Sequence, residues 1–198
     1  MQILSARNLP VIKTAVLYDL DNLDHILKSI GEFPVIAKTI YGNDGKGVAI
    51  FESKRSLLSG IELMMDNDIT CESILIQEFV KADNKDYRLF VVGGKIVAQM
   101  ERTAPKGDFR ANLDGGGSGS EAHLPPEVIK LGEDAAKALK LDIAGVDILI
   151  GDDGPVICEI NPRPGFKISE ITNTDVAKAI IEWTEKKYKL LTQSQKAA

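Results

Sequence analysis

Two carboxylates and a carboxamide stand where a strand should be apolar. Asp147, Glu159 and Asn161 interrupt residues 145–161, a stretch otherwise built on Val146, Ile148, Leu149, Ile150, Val156, Ile157 and Ile160. Between the acids lies Asp152-Asp153-Gly154, which reads as a three-residue hairpin loop, a type I turn closed by a glycine in the left-handed conformation. That loop pairs Ile150 with Val156, Leu149 with Ile157 and Ile148 with Cys158. It thereby sets Asp147 opposite Glu159, with Asn161 two residues on along the same face. Carboxylates directly across a strand pair have Cβ atoms about 5 Å apart and repel unless a positive charge lies between them. Oxygen donors alone suit a hard divalent cation, magnesium before zinc. On a solvated sheet face the same acids would be ordinary. The apolar residues around them argue against that, and the turn decides it, because a four-residue loop would send Asp147 and Glu159 to opposite faces.

Other residues also make poor structural sense: Lys38 in mid-strand, the glycine-rich segment 42–47, Glu78 at a strand end, Asp86, Arg88, Arg102, Arg110 and Asn112. One lysine and three arginines facing a carboxylate-bound cation describe a site for a polyanion held with metal, and a nucleoside triphosphate fits best. Taken singly, Lys38 would snorkel and each arginine would pair at the surface. The set is harder to explain that way. The chain has no G-x-S-x-G elbow and only two histidines, which argues against a serine or cysteine nucleophile and against histidine-rich zinc chemistry. Segment 42–47 lacks the P-loop spacing and leads into a strand, not a helix.

These residues need a scaffold, and 198 residues, 44% hydrophobic and 27% charged, suffice for one sizeable core or two small lobes. A net charge of -5 without a basic stripe argues against nucleic acid. With no signal peptide and no membrane-length apolar run, the expected location is cytoplasmic, with no membrane partner. Cys71 and Cys158 flank apolar strands and read as buried thiols. Residues 1–20 read as an element cut from a larger protein. A helix from Asp21 with Leu23, Ile26, Leu27 and Ile30 stops at Gly31, strands at 34–41 and 48–52 flank the glycine segment, and Ser53 caps a second helix. A strand at 73–80 precedes a hairpin over 86–102 turning at Gly93-Gly94. Its register sets Asp86 and Arg88 with Gln99 and Glu101, and leaves Arg102 on the other face. The glycine- and serine-rich run 115–120 reads as a connection inside a long loop, and a loop of that length is either disordered or functional. A helix from Pro126 leads to the acidic hairpin. Thr174 caps a last helix whose stripe of Val176, Ala177, Ile180, Ile181, Thr184 and Tyr188 should pack on the body. Hairpins alternating with helices argue for an α+β fold.

Taken in order, the motifs are Pro34-Val-Ile-Ala-Lys-Thr with Gly42-Asn-Asp-Gly-Lys-Gly-Val48, Ile76-Gln-Glu-Phe-Val-Lys81, Asp86-Tyr-Arg88, Glu101-Arg102, Gly107-Asp-Phe-Arg-Ala-Asn112, Ala144-Gly-Val-Asp-Ile-Leu149 and Glu159-Ile-Asn161. From about Pro10 to Lys178 this series resembles the ATP-grasp enzymes, and within them the ribosomal protein S6 modification (RimK-type) glutamate ligases. The resemblance implies two α+β lobes whose antiparallel sheets clasp a nucleotide. Residues 15–80 would be the smaller lobe, 81–192 the larger one with the metal site, and 193–198 a frayed tail.

It also implies ATP and magnesium, or manganese in its place, as cofactors. Lys38 would contact the phosphates beneath a flap holding Gly45, Lys46 and Gly47. Glu78 and Phe79 would hold the adenine and Asp86 would help place the nucleotide. Arg110, Ala111 and Asn112 would line the phosphate and acceptor region, and Asp147, Glu159 and Asn161 would hold the metal. In such enzymes a carboxylate is phosphorylated and an amine attacks the acyl phosphate, so Arg88, Arg102 and Arg110 are the candidates for stabilising the charge that develops. The implied partners are an amino acid such as glutamate, a protein or small-molecule acceptor, and the N-terminal domain that such enzymes carry ahead of this region, with room for a homo-oligomer. The alternative is an ATP-binding regulatory module, or an inactive fragment without turnover. After Asn161 the chain reads Pro-Arg-Pro-Gly-Phe166, closer to the Asn-Pro-Arg of other ATP-grasp branches such as carboxylases.

Overall fold

Alternating strands sort into two antiparallel sheets in the computed structural model, which describes residues 1–40, 47–67 and 73–196. The first, of order β1-β4-β2-β3, is made of β1 (Thr14–Leu17), β2 (Val35–Thr39), β3 (Val48–Phe51) and β4 (Ile74–Glu78). One face buries Leu17, Val35, Ala37, Ile74 and Ile76 against α2 (Leu23–Ile30) and α3 (Lys54–Asn67). Helix α2 contributes Leu23, Ile26 and Ile30 at helical spacing and ends at Gly31, whose φ of 121° favours glycine. Ser53 caps α3, its hydroxyl accepting from the Ser56 N–H at 3.3 Å. The strand register leaves Thr14, Ile36, Lys38, Val48, Leu75 and Gln77 on the opposite face.

The second sheet, of order β7-β6-β5-β8-β9, contains β5 (Lys85–Val92), β6 (Lys95–Thr103), β7 (Ser118–Glu121), β8 (Ile143–Gly151) and β9 (Gly154–Asn161). Its back buries Leu89, Val91, Val146, Ile148 and Ile157 against Val128, Leu131, Ala135 and Ala136 of α4 (Pro126–Ala138), and Leu4 of α1 (Gln2–Ser5) joins them. Each fully buried side chain of this size contributes about 1.5–3 kcal/mol. The segment after α1 runs along β9: the Ile12 N–H donates to the Ile157 carbonyl at 3.0 Å, and the Ile157 N–H to the Pro10 carbonyl at 2.9 Å. Residues 1–12, the first part of the stretch 1–20 that reads as an element cut from a larger protein, thus dock on the larger sheet before the chain crosses to β1.

Both hairpins of this sheet depart from the expected register. Between β8 and β9 only Asp152 and Asp153 lie outside the pairing, so Ile150 meets Pro155, Leu149 meets Val156 and Ile148 meets Ile157. A bulge at Cys158 then restores the pairing of Asp147 with Glu159. Between β5 and β6 the turn at Gly93-Gly94 is as expected, but a bulge at Val97 shifts everything beyond it, and Asp86 pairs with Arg102 while Tyr87 takes Glu101. An extra residue reverses the alternation of every side chain past it. Arg102 therefore shares a face with Asp86 and Arg88, contrary to the unbulged count.

Two further expectations are corrected. Residues 118–121 of the glycine- and serine-rich run form strand β7 on β6, and a Cβ on Gly119 would lie 2.8 Å from the Ile171 Cδ1 of α5 (Lys167–Ile171). Helix α6 (Val176–Lys196) continues past residue 193, where fraying was expected, and Asp175 caps it by accepting from the Lys178 N–H at 2.9 Å. Its apolar stripe divides: Val176, Ala179, Ile180 and Trp183 pack beside Phe90 and Val92, whereas Ile181 and Tyr188 are exposed. Among the described residues, no helix is long and apolar enough to cross a membrane.

Candidate nucleotide and metal site

The face of the larger sheet opposite α4 looks onto a cleft of about 1790 Å³ whose other wall is the Lys38 face of the smaller sheet. Four charged residues form a chain at its floor. Arg88 grips Asp147 with both arms of its fork, Nε to Oδ1 at 2.7 Å and Nη2 to Oδ2 at 2.6 Å. Arg102 grips Asp86 likewise at 2.5 and 2.8 Å, and its Nη2 also reaches Asp147 Oδ2 at 2.9 Å. Adjacent strands set this order, since Arg88 stands opposite Asp147 and Asp86 opposite Arg102. Two cations and two anions cancel, which allows Arg102 and Asp147 to be only 4% and 7% exposed.

Burial and neighbours pull these groups apart in acidity. For Asp147, burial alone would raise the pKa, but the charge of Arg102 and the bonds from Arg88 hold it below the usual carboxylate value. Burial pushes Asp86 up to about 6, against the pull of Arg102. Asp86 and Arg102 thus share an ion pair in which the acid titrates near neutrality. The Cys158 thiol is pushed by burial up to about 11, and the charge of Lys38 is near enough to oppose that rise.

Glu159, directly opposite Asp147, is exposed, and its side chain makes no hydrogen bond or ion pair with the described residues. Asn161 uses its Oδ1 to accept the Arg163 N–H at 2.8 Å. The trio fits a hard divalent cation: all three donors are oxygens, Glu159 is uncommitted, and Asp147 Oδ1 and Asn161 Oδ1 each accept one bond and keep a lone pair. Across the cleft, Lys38 likewise carries no ion pair among the described residues.

Glu78, Phe79, Arg110, Ala111 and Asn112 also line the cleft. The Glu78 carboxylate accepts from the Lys13 N–H at 2.8 Å and meets Lys13 Nζ at 3.2 Å, and the Glu78 N–H donates to the Lys13 carbonyl at 3.1 Å, so neither its carboxylate nor its N–H is open to a base at this strand end. Arg110 clasps Asp108, which lowers that carboxyl to about 2, and stands beside buried Ala111 and half-buried Asn112. Gly45 and Lys46 lie outside the described residues. Gly47, at φ 72°, does not line the cleft; its carbonyl accepts from the Thr39 N–H, and a Cβ there would collide with the Thr39 hydroxyl. Sequence reasoning missed Lys13 and Arg163 as cleft residues. Arg163, set between two prolines directly after Asn161, could have been singled out as a side chain on a rigid loop.

A family model described as a RimK-like ATP-grasp domain matches residues 1–184. A protein named "Probable alpha-L-glutamate ligase 2" from Pseudoalteromonas atlantica is 40% identical over 191 residues, which are 96% of this chain and 62% of that protein. The chain thus spans about 62% of the length of this relative. Among solved structures, a D-alanine–D-alanine ligase from Bacillus anthracis complexed with ATP superposes with a TM-score of 0.71 at 22% identity, covering 95% of this chain and 65% of that one. The ATP-grasp ligase PsnB complexed with minimal precursor, Mg and ADP gives 0.70 at 21% identity, covering 93% and 57%.

Proposed function

The chain belongs to the RimK-like ATP-grasp family, and from that premise we propose that it carries the ATP- and magnesium-dependent centre of a carboxylate–amine ligase that adds glutamate to an acceptor. What supports this reading most is the cross-strand pair of Asp147 and Glu159, placed with Asn161 in the cleft that Lys38 faces from the other sheet. The name borne by the 40% identical relative points the same way.

On this reading Asp147, Glu159 and Asn161 hold the metal, which when bound supplies positive charge to the triphosphate. Lys38 takes phosphate oxygens from the opposite wall, and the strand end at Glu78 and Phe79 takes the adenine. Asp86 orients Arg102, which with Arg88 fixes the position and ionisation of Asp147. Arg88 and Arg102 therefore act chiefly through the carboxylates they hold. Arg110, Ala111 and Asn112 border the acceptor. The acceptor carboxylate takes the γ-phosphoryl group, and the glutamate amine attacks the acyl carbon. A C–N bond forms, the acyl C–O bond breaks with its electron pair leaving on phosphate, and the amine proton passes to solvent. The two walls supply fixed charge and exclude water from the acyl phosphate, so no protein nucleophile is needed.

The test is ADP release from the protein with magnesium, ATP, glutamate and a panel of carboxylate acceptors. Glutamate-dependent ADP release supports the ligase. Thermal stabilisation by magnesium and ATP, with no ADP formed under any acceptor, would instead assign a nucleotide-binding module.

A further inference from the structure

The cations lining the cleft divide into those already paired and those that are not. Arg88 and Arg102 are committed to Asp147 and Asp86, and Lys13 to Glu78. Arg163 also lines the cleft and makes no ion pair with the described residues.

An exposed arginine is usually just solvated, but the backbone under this one is fixed. Pro162 and Pro164 restrict φ on either side of Arg163, the Asn161 carboxamide accepts its N–H at 2.8 Å, and Pro164 is buried against Gly145, where a Cβ would come within 3.0 Å of it. A rigid stem lowers the entropy lost when the guanidinium binds an anion, and its planar fork matches a carboxylate through two parallel bonds.

Resting on the ligase reading above, we infer that Arg163 binds the α-carboxylate of the amino acid whose amine attacks, and so helps to select the amino donor. The attacking nitrogen must reach an acyl carbon held beside Asp147, Glu159 and Asn161. The carboxylate nearest that nitrogen is the α-carboxylate, one carbon away, whereas the side-chain carboxylate extends outward. Arg163 follows Asn161 by two residues and shares its loop, so it reaches the first group. Lys38, on the opposite sheet, is left to the triphosphate.

The experiment compares the wild-type protein with Arg163→Ala and Arg163→Lys, using L-glutamate and its α-amide as probes and ATP as control. With wild type, the α-amide should be the poorer substrate by about tenfold or more. Arg163→Ala should raise KM for glutamate about tenfold, leave the α-amide nearly unchanged and leave KM for ATP within about twofold, with Arg163→Lys between the two. The inference is overturned if glutamate KM is unaffected, or if glutamate and ATP weaken together, which would indicate a phosphate contact or a structural role. If wild type releases no ADP with any amino acid, the ligase reading fails separately. Calorimetric titration of glutamate into protein saturated with magnesium and a non-hydrolysable ATP analogue then decides the inference. Binding that Arg163→Ala weakens about tenfold upholds it, and binding that is absent or unchanged overturns it.

Discussion

The two sheets bury their backs alike and differ in the face they turn to the cleft. The smaller sheet offers Val16, Ile36, Val48 and Leu75 with Lys38, a cation that has no ion pair among the described residues, and its strands pair without irregularity. The larger sheet offers a chain of alternating charges, and its two hairpins both carry a bulge. A single charged side chain on a plain sheet needs only strand alternation to place it. A closed set of four ionised groups needs each partner at a definite register; an inserted residue in β6 provides it for Arg102, and one in β9 sets Glu159 opposite Asp147 beside that set.

That contrast can be broken at several points, beginning where the effect is largest. Asp147→Ala leaves Arg88 and Arg102 without their shared anion, at a cost of about 3–5 kcal/mol in denaturant unfolding, and should abolish ADP release. A loss under 1 kcal/mol would mean that the charges are not interdependent. Deleting Cys158 removes the bulge while leaving every acid in the chain. It should leave Ile157 opposite Ile148 and Glu159 opposite Asp147 in a regular ladder and so retain magnesium-dependent nucleotide binding by calorimetry; lost binding would show that the bulge itself, and not the pairing, shapes the site. On the simpler wall, Lys38→Met should weaken ATP binding by about tenfold or more yet shift Tm by no more than a degree or two, because Lys38 makes no ion pair among the described residues and Met keeps much of its apolar stem.

The smallest expected effect is a pH dependence. Asp86, raised to about 6 in the folded protein from an ordinary carboxylate value, binds its proton more tightly there than in the unfolded chain. Its contribution is therefore fully present below about pH 4 and is lost as the pH rises through about 6. Asp147 has the opposite sign: its depressed pKa contributes stability above the usual carboxylate range that is lost on acidification. The difference in Tm between wild type and Asp86→Asn should change between pH 4 and 7, with the variant gaining relative to wild type as the pH rises. A difference constant across that window would show that Asp86 titrates normally.

Much of this was legible from the residues. Helical periodicity gave α2 and α4, the apolar runs gave β2, β3 and β4 of the smaller sheet though not β1, and the pairing of Asp147 with Glu159 was anticipated. The reason for that pairing was not. A three-residue loop and a two-residue turn followed by a bulge give the same parity at Asp147, so the right partner followed from the wrong loop. At Arg102 no such compensation occurred, and the count put the residue on the wrong face. Bulges leave little trace in sequence, because Cys158 and Val97 are ordinary strand residues and only tertiary packing decides which position is extra. For the same reason Gly119, small to clear Ile171, passed for a flexible linker residue.

The most direct test of the central claim uses Glu159, which is exposed and unpaired among the described residues and so can be changed without disturbing the ion network. Electron paramagnetic resonance would follow Mn2+ titrated into the protein with saturating ATP, for wild type and for Glu159→Gln. One tightly held Mn2+ per wild-type chain that is lost or greatly weakened in Glu159→Gln is the predicted result. Equal Mn2+ binding by the two proteins, or none by wild type, would contradict the assignment of the metal to this face of the sheet.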